Sequence, residues 1–191
     1  MTNTINIHKN GILLAYIANK IPNIQLRKLL KIVFLIDETF TITRGYPITW
    51  FNYYAWAKGP VAKEVYNIKN GNFDKYVNAH QNENSKWIVN SNESSEYQIF
   101  SKMDDFSRAE IKLIDSILEK YSNKTADELT DLTHQQTSIW SRVVSENNLS
   151  FTKEKTSDIQ IPLTLLLEGN DALLEIYEDA KWNLEFQGLL K

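Results

Sequence analysis

Leu26, Leu29, Leu30, Val33, Phe34 and Phe40 recur at the spacing of one helix face, and Gly45 follows them. A glycine tolerates the left-handed backbone that ends a helix, so the spacing predicts a long helix closing near Gly45. Such a helix must bury its apolar stripe against other elements, which makes it the organiser of the chain. Pro22 stops any helix before it, and Asn23 is placed to cap its first turn. Arg27, Lys28 and Lys31 fall opposite the stripe, on a face expected to be solvated. Beyond Gly45, Tyr46-Pro47-Ile48-Thr49 is expected to be extended and leads into Trp50, Phe51, Tyr53, Tyr54 and Trp56. Pro60 suits the first turn of a further helix with Val61, Val65 and Ile68 on its buried face and Asn70-Gly71 at its end.

Helical spacing also marks the segment before Pro22, where Ile12, Leu13, Leu14, Ile17, Ala18 and Ile21 define a helix over 8–20. Trp87-Ile88-Val89 and Tyr97-Gln98-Ile99-Phe100 flank a polar loop and are expected to pair as a β-hairpin. Ser107 with Glu110, and Thr125 with Glu128, are capping boxes that start two helices. The first carries Ile111, Ile114, Ile117, Leu118 and Tyr121, the second Leu129 and Leu132. A further helical piece surrounds Trp140, Val143 and Val144. Residues 147–157 read as a loop, Ile159-Gln160-Ile161 as extended, and Leu163 to Leu167 as a short buried run closed by Gly169. Asn170 can cap a last helix with Leu173, Leu174, Tyr177 and Leu184 on one side. The expected fold is mainly α: a single compact helical domain over 1–191 with a small β-hairpin, an α+β minor component.

The chain has no cysteine, which excludes disulfides, thiolate metal sites and a cysteine nucleophile. No apolar run approaches the roughly 20 residues needed to span a bilayer. The first residues lack a secretory pattern, so a cytoplasmic location without membrane attachment is expected. The net charge of -3 argues against a protein built to hold nucleic acid. The charge is polarised: there is no acid before Asp37, whereas the C-terminal half is acidic.

The three histidines, His8, His80 and His134, form no metal-ligand pattern, and no glycine-rich phosphate loop occurs, so no cofactor or metal is expected. Asp131, His134 and Ser138 contain the residue types of a hydrolytic triad, but a single helix-loop-helix cannot easily converge them. The other reading makes His134 a hydrogen-bonding residue that fixes the loop between two helices. Asp37 is expected to bind backbone amides or a nearby base rather than to act as a catalytic acid. The first two helices, broken at Pro22, allow either a helix-turn-helix with Arg27, Lys28 and Lys31 on DNA or a plain two-helix corner. The aromatic run, with five rings in seven residues, is either a partner-binding surface or a group shared by two core faces.

Leu26-Arg27-Lys28-Leu29-Leu30, then Gly45-Tyr46-Pro47-Ile48-Thr49, then Ala55-Trp56-Ala57-Lys58-Gly59-Pro60-Val61 with Val65-Tyr66, resembles the Panacea domain, the SocA-like or phage-associated GepA-like family. Asp127-Glu128-Leu129-Thr130-Asp131-Leu132-Thr133-His134 up to Trp140 is similar to the family's second block, and the likeness runs over 8–146. Residues 147–191 lie outside it, as a C-terminal extension expected to pack on it. Between His134 and Trp140 the family's acidic residues and proline are replaced by Gln135, Gln136, Thr137, Ser138 and Ile139.

The resemblance implies a non-enzymatic antitoxin of a bacterial or phage toxin–antitoxin pair, acting by protein–protein contact on a cognate toxin that inhibits translation or nucleotide metabolism. A toxin heterocomplex or a homo-oligomer would be its assembly. Family branches also suggest delivery of the toxin to a ClpXP-type protease, and a further alternative is DNA-binding autoregulation of the operon. The partner-binding residues expected are Trp56, Lys58, Gly59, Pro60 and Val61, with His134 and Trp140 as buttresses. The acidic stretch Glu168 to Glu185 is a second contact suited to a basic toxin.

Overall fold

The computed structural model describes residues 6–93, 99 and 102–189, the last three by backbone alone. Among them are seven α-helices and two small antiparallel sheets, so the fold is mainly α with minor β. Helix α1 (Ile7–Lys20) precedes strand β1 (Ile24–Gln25) and helix α2 (Leu26–Arg44). Strands β2 (Tyr53–Trp56) and β3 (Gly59–Ala62) form a hairpin followed by the short helix α3 (Lys63–Tyr66). Strands β4 (Val77–Gln81) and β5 (Trp87–Ser91) come next, then helices α4 (Arg108–Tyr121), α5 (Ala126–Thr133), α6 (Ile139–Glu146) and α7 (Asp171–Leu189).

Helix α2 is the axis of the molecule. It ends at Gly45, which adopts φ 85° as the sequence predicts. Its burial is wider than one stripe: Lys31, Ile32, Leu35, Ile36 and Asp37 are buried along with the expected leucines and phenylalanines. The β2–β3 hairpin, α4, α5 and α7 all pack around it. The basic residues therefore do not form a solvated face. Lys31 is 1% exposed, Lys28 donates to the Ser122 carbonyl, and Arg27 pairs with Asp127 at 2.8 Å. Helix α4 ends above Lys28, and α5 begins beside Arg27, so both cations tie α2 to its neighbours instead of to solvent.

Asn23 does not cap α2 either. It turns through φ 56° and its N–H donates to the Asn90 side chain, while Ile24 and Gln25 pair with Val89 and Ile88 of β5. Gln25 occupies the N-cap without a side-chain bond. The chain spends those residues on a sheet edge because β5 is the central strand of the order β1-β5-β4.

That order also corrects the expected hairpin. Trp87-Ile88-Val89 is a strand, but its partner is the preceding Val77–Gln81, with Ala79 opposite Val89. With β1 on its other edge, β5 has no side left for the following residues. Of the segment expected to pair with it, Tyr97, Gln98 and Phe100 lie outside the described residues, and Ile99 is helical and buried.

Pro60 is a strand residue rather than the start of a helix. The pairs Tyr53–Ala62, Tyr54–Val61, Ala55–Pro60 and Trp56–Gly59 define a tight hairpin around Ala57-Lys58. Proline is tolerated there because its missing N–H leaves no ladder bond broken on the α2 side, where its carbonyl is the group used. The helix begins three residues later, and the expected stop at Gly71 holds, with φ 97°.

Asp37 fixes the approach to this hairpin. Its carboxylate is fully buried and accepts from the Ile48 and Thr49 N–H groups at 2.9 and 3.0 Å, from the Thr49 hydroxyl, and from Tyr53 Oη at 2.7 Å. Burial pushes its pKa up to about 6 against the pull of those donors. Both capping boxes form as expected, at Ser107/Glu110 and Thr125/Glu128.

The C-terminal part folds back on this frame. Residues 155–161 run along the free edge of β2, where the Ala57, Ala55 and Ile161 N–H groups bond to the Lys155, Ile159 and Tyr53 carbonyls. Asn170 caps α7 through the Leu173 N–H. Leu173, Tyr177 and Leu184 turn inward, but Leu174 is exposed. Leu173 and Ile176 lie against Gly45, and Tyr177 against Trp50. Among the described residues, no helix is long and apolar enough to cross a membrane.

Replacing Asp37 by alanine strands four buried donors, so stability is expected to fall by about 3 kcal/mol or more. Asp37→Asn keeps one acceptor and is expected to cost about 1–3 kcal/mol. Urea denaturation of both variants measures the difference.

Candidate functional site

Alternation along β2 sorts the aromatic run. Phe51 and Tyr53 enter the core, Tyr53 meeting Phe34 edge-on at 5.1 Å, while Trp50, Tyr54 and Trp56 stay half-buried. The run is thus divided: two rings are core, and three lie at its edge.

Trp56 is held on several sides. Its indole N–H donates to the Ser157 carbonyl at 3.0 Å, and its ring meets Tyr66 edge-on at 4.8 Å. Its own carbonyl accepts from the Trp140 indole at 3.0 Å. Trp140 in turn stacks on His134 with ring centres 3.7 Å apart and planes 9° apart. The residues singled out at the hairpin and those at the α5–α6 junction are therefore brought together in space.

Their exposures divide the roles. Gly59, Pro60 and Val61 are buried and Trp140 nearly so; of these residues only Lys58 is exposed, with Trp56 and His134 at the margin. Gly59 is required at its place: it has φ 97°, and a Cβ there would lie 2.6 Å from Lys31 Nζ and 2.8 Å from Thr133 Oγ1. That gap admits the Lys31 ammonium, which donates to the Pro60 carbonyl at 3.0 Å. Burial, and next the neighbouring Arg27, lower the Lys31 pKa to about 7.

His134 closes α5: its N–H bonds to the Thr130 and Asp131 carbonyls, and its carbonyl accepts from the Ser141 hydroxyl. The loop is fixed by this backbone and by the ring stack rather than by imidazole hydrogen bonds; Nε2 is buried and unpaired among the described residues. Burial foremost, then Lys31, lower its pKa to about 4, keeping the ring neutral near pH 7. The triad types stay apart in function: Ser138 spends its hydroxyl capping α6 through the Ser141 N–H, and Asp131 faces solvent.

In front of Trp56 lies a pocket of about 620 Å³. Leu26, Leu30 and Val61 give it an apolar floor, and Trp56, Tyr66 and Trp87 give it aromatic walls. Arg27, Lys31, Lys58, Lys86 and Lys155 also line it, with no carboxylate among the lining residues. Sequence reading missed Trp87, Lys86 and Lys155 as parts of this site. Trp87 was visible as an aromatic residue in a strand, but nothing in the local sequence joins Lys155 to position 58. The bond from the Ala57 N–H to the Lys155 carbonyl does so.

The model of the family described as antitoxin SocA-like, Panacea domain, matches residues 29–141. The chain belongs to this family. The match covers well over half of its 191 residues and contains the hairpin, Lys31, Asp37, His134 and Trp140. It is narrower than the likeness read from sequence, since α1 and the start of α2 lie outside it. No curated protein and no solved structure matches the chain significantly. The Panacea block thus supplies the hairpin and its buttress, whereas Lys155 and α7 come from beyond it.

Two outcomes test this construction. Gly59→Ala must distort the turn and displace Lys31, with an expected loss of about 1–3 kcal/mol measured by denaturant unfolding. His134 binds a proton in the unfolded chain near its ordinary 6.5 but not in the folded chain until about pH 4. Its contribution to stability is therefore lost as pH falls through that window. His134→Phe, which keeps a stacking ring, should lose less stability than the parent between pH 7 and 4.5 in paired urea titrations.

Proposed function

We propose that this chain is the antitoxin of a type II toxin–antitoxin pair, acting in the cytoplasm, and that residues 1–191 fold as one domain. It neutralises a cognate protein toxin, an inhibitor of translation or nucleotide metabolism, by direct contact and without turnover. The observation that carries the reading is the position of the hairpin face inside the family match at 29–141. Trp56 and Lys58 reach the surface and make the contact, while Gly59, Pro60, Val61, His134 and Trp140 shape and support it. Rigid support of this kind favours binding, because little conformational freedom is lost on association.

A second contact lies at the other end of α2. Helix α7 exposes Ile176, Trp182 and Phe186, at 43, 62 and 46%, with the last two rings stacked at 5.3 Å. Glu175, Glu178, Asp179 and Glu185 share that helix. An aromatic ridge among carboxylates suits a basic partner such as a toxin that acts on RNA or nucleotides. DNA-binding autoregulation draws less support, since Arg27 and Lys28 are engaged within the fold and Lys31 is buried.

Coexpression with the product of the adjacent gene tests the proposal. That product is expected to arrest growth alone and to be rescued by this chain. Lys58→Glu and Trp182→Ser should each weaken rescue and co-purification while leaving the thermal midpoint within a few degrees, as surface changes do. A neighbour that is harmless alone, or rescue untouched by both changes together, overturns the assignment or its surfaces, respectively.

A further inference from the structure

The pocket beside Trp56 has a composition that the whole chain does not share. Acids outnumber lysines and arginines, 24 to 21, yet five cations and no carboxylate line the pocket. The cations arrive from separate places: Arg27 and Lys31 from α2, Lys58 from one hairpin tip, Lys86 from the other, and Lys155 from the C-terminal segment. Convergence from such distant positions concentrates positive potential over an apolar floor.

Most of that charge is not neutralised from within. Arg27 is paired with Asp127, but among the described residues Lys31, Lys58, Lys86 and Lys155 form no ion pair. Lys155 donates to the Phe151 and Thr152 carbonyls, and the buried Lys31 to the Pro60 carbonyl. Burial without a counter-ion disfavours the charged form of a lysine such as Lys31, and an anion entering the pocket would supply that counter-ion.

The walls specify more than an anion. The Trp56 indole N–H is already bonded to Ser157, which fixes the ring, so what Trp56 offers the pocket is ring surface and not its donor. Trp87 and Tyr66 are further flat surfaces in the same pocket. Aromatic walls over leucine and valine suit a planar ring, and lysines gathered from several elements suit clustered negative charge. About 620 Å³ lies within the range of small-molecule sites, roughly 300–1,000 Å³.

We propose that this pocket binds a nucleoside polyphosphate, its base against Trp56 and Trp87 and its phosphates held by Lys58, Lys86 and Lys155. There is no glycine-rich loop, so side-chain ammonium groups do the work that backbone amides do in phosphate loops. Lys31, with its pKa lowered to about 7, takes up a proton when the anion arrives. The site does not depend on the antitoxin reading, and it is tested on the isolated full chain.

Isothermal titration calorimetry with ATP, GTP, AMP, adenosine and inorganic triphosphate provides the test. A nucleoside triphosphate is expected to bind more tightly than the monophosphate, the nucleoside or inorganic triphosphate, and affinity should fall with added salt. Trp87→Ala and Lys86→Glu, each checked for folding by circular dichroism, should weaken binding by about tenfold. Titrations near pH 8 in buffers of different ionisation enthalpy should reveal proton uptake that Lys31→Met removes. No binding of any nucleotide at millimolar concentration overturns the proposal, as does affinity unchanged by both Trp87→Ala and Lys86→Glu. Inorganic triphosphate binding as tightly as ATP would make this an anion site only and would also overturn it. A chain that rescues from its toxin but binds no nucleotide loses this inference alone.

Discussion

The structure depends on two ionisable side chains buried along one helix. Lys31 and Asp37 both sit on α2, at 1% and 0% exposure, and each holds a part of the same neighbouring segment. Asp37 gathers the Ile48 and Thr49 amides and the Thr49 and Tyr53 hydroxyls, while Lys31 takes the Pro60 carbonyl. A buried charge is tolerable only when its hydrogen-bonding capacity is met, so the segment from Ile48 to Pro60 has little freedom to sit elsewhere. Apolar packing drives α2 inward, but these two groups decide which backbone lies against it and in what register.

That clamp turns an ordinary two-stranded hairpin, marginal by itself, into a rigid surface element. The free edge of β2 is covered by residues 155–161, which protects it from pairing with other chains. On the other side, the Trp140 indole donates to the Trp56 carbonyl, and His134 stacks behind Trp140. Trp56 and Lys58 are presented from a frame anchored at three places. A pocket lies next to the presented ring. Burial foremost, and then the nearby Lys31, hold the His134 ring neutral within this stack.

Local signals were legible where a few neighbouring residues suffice to define the physics. The capping boxes at Ser107 and Thr125, the left-handed ends at Gly45 and Gly71, and the Asn170 cap all depend on contacts within one turn. The errors share a cause in long-range competition. Asn23 could cap α2, yet it serves the sheet through Asn90. Trp87-Ile88-Val89 was recognisable as a strand, but the polar Val77–Gln81 gave little sign of being its partner. Pro60 fits a helix start equally well in isolation, and only the pairing of Tyr53–Trp56 with Gly59–Ala62 makes it a strand residue.

The amino-acid sequence by itself determined the helical character, the dominance of α2, the family block and the residues around Gly59, His134 and Trp140 as a special group. Periodicity, capping chemistry and motif order are properties of neighbouring residues and survive without coordinates. The tertiary structure alone decided that Lys31 is buried while Arg27 and Lys28 bind neighbouring elements, that Trp140 supports Trp56, and that Lys58, Lys86 and Lys155 share one pocket. A helical wheel shows which side of a helix is polar but not what covers it. For α2 the cover comes from α4, α5 and the hairpin, whose arrival is set by contacts between residues far apart in the chain.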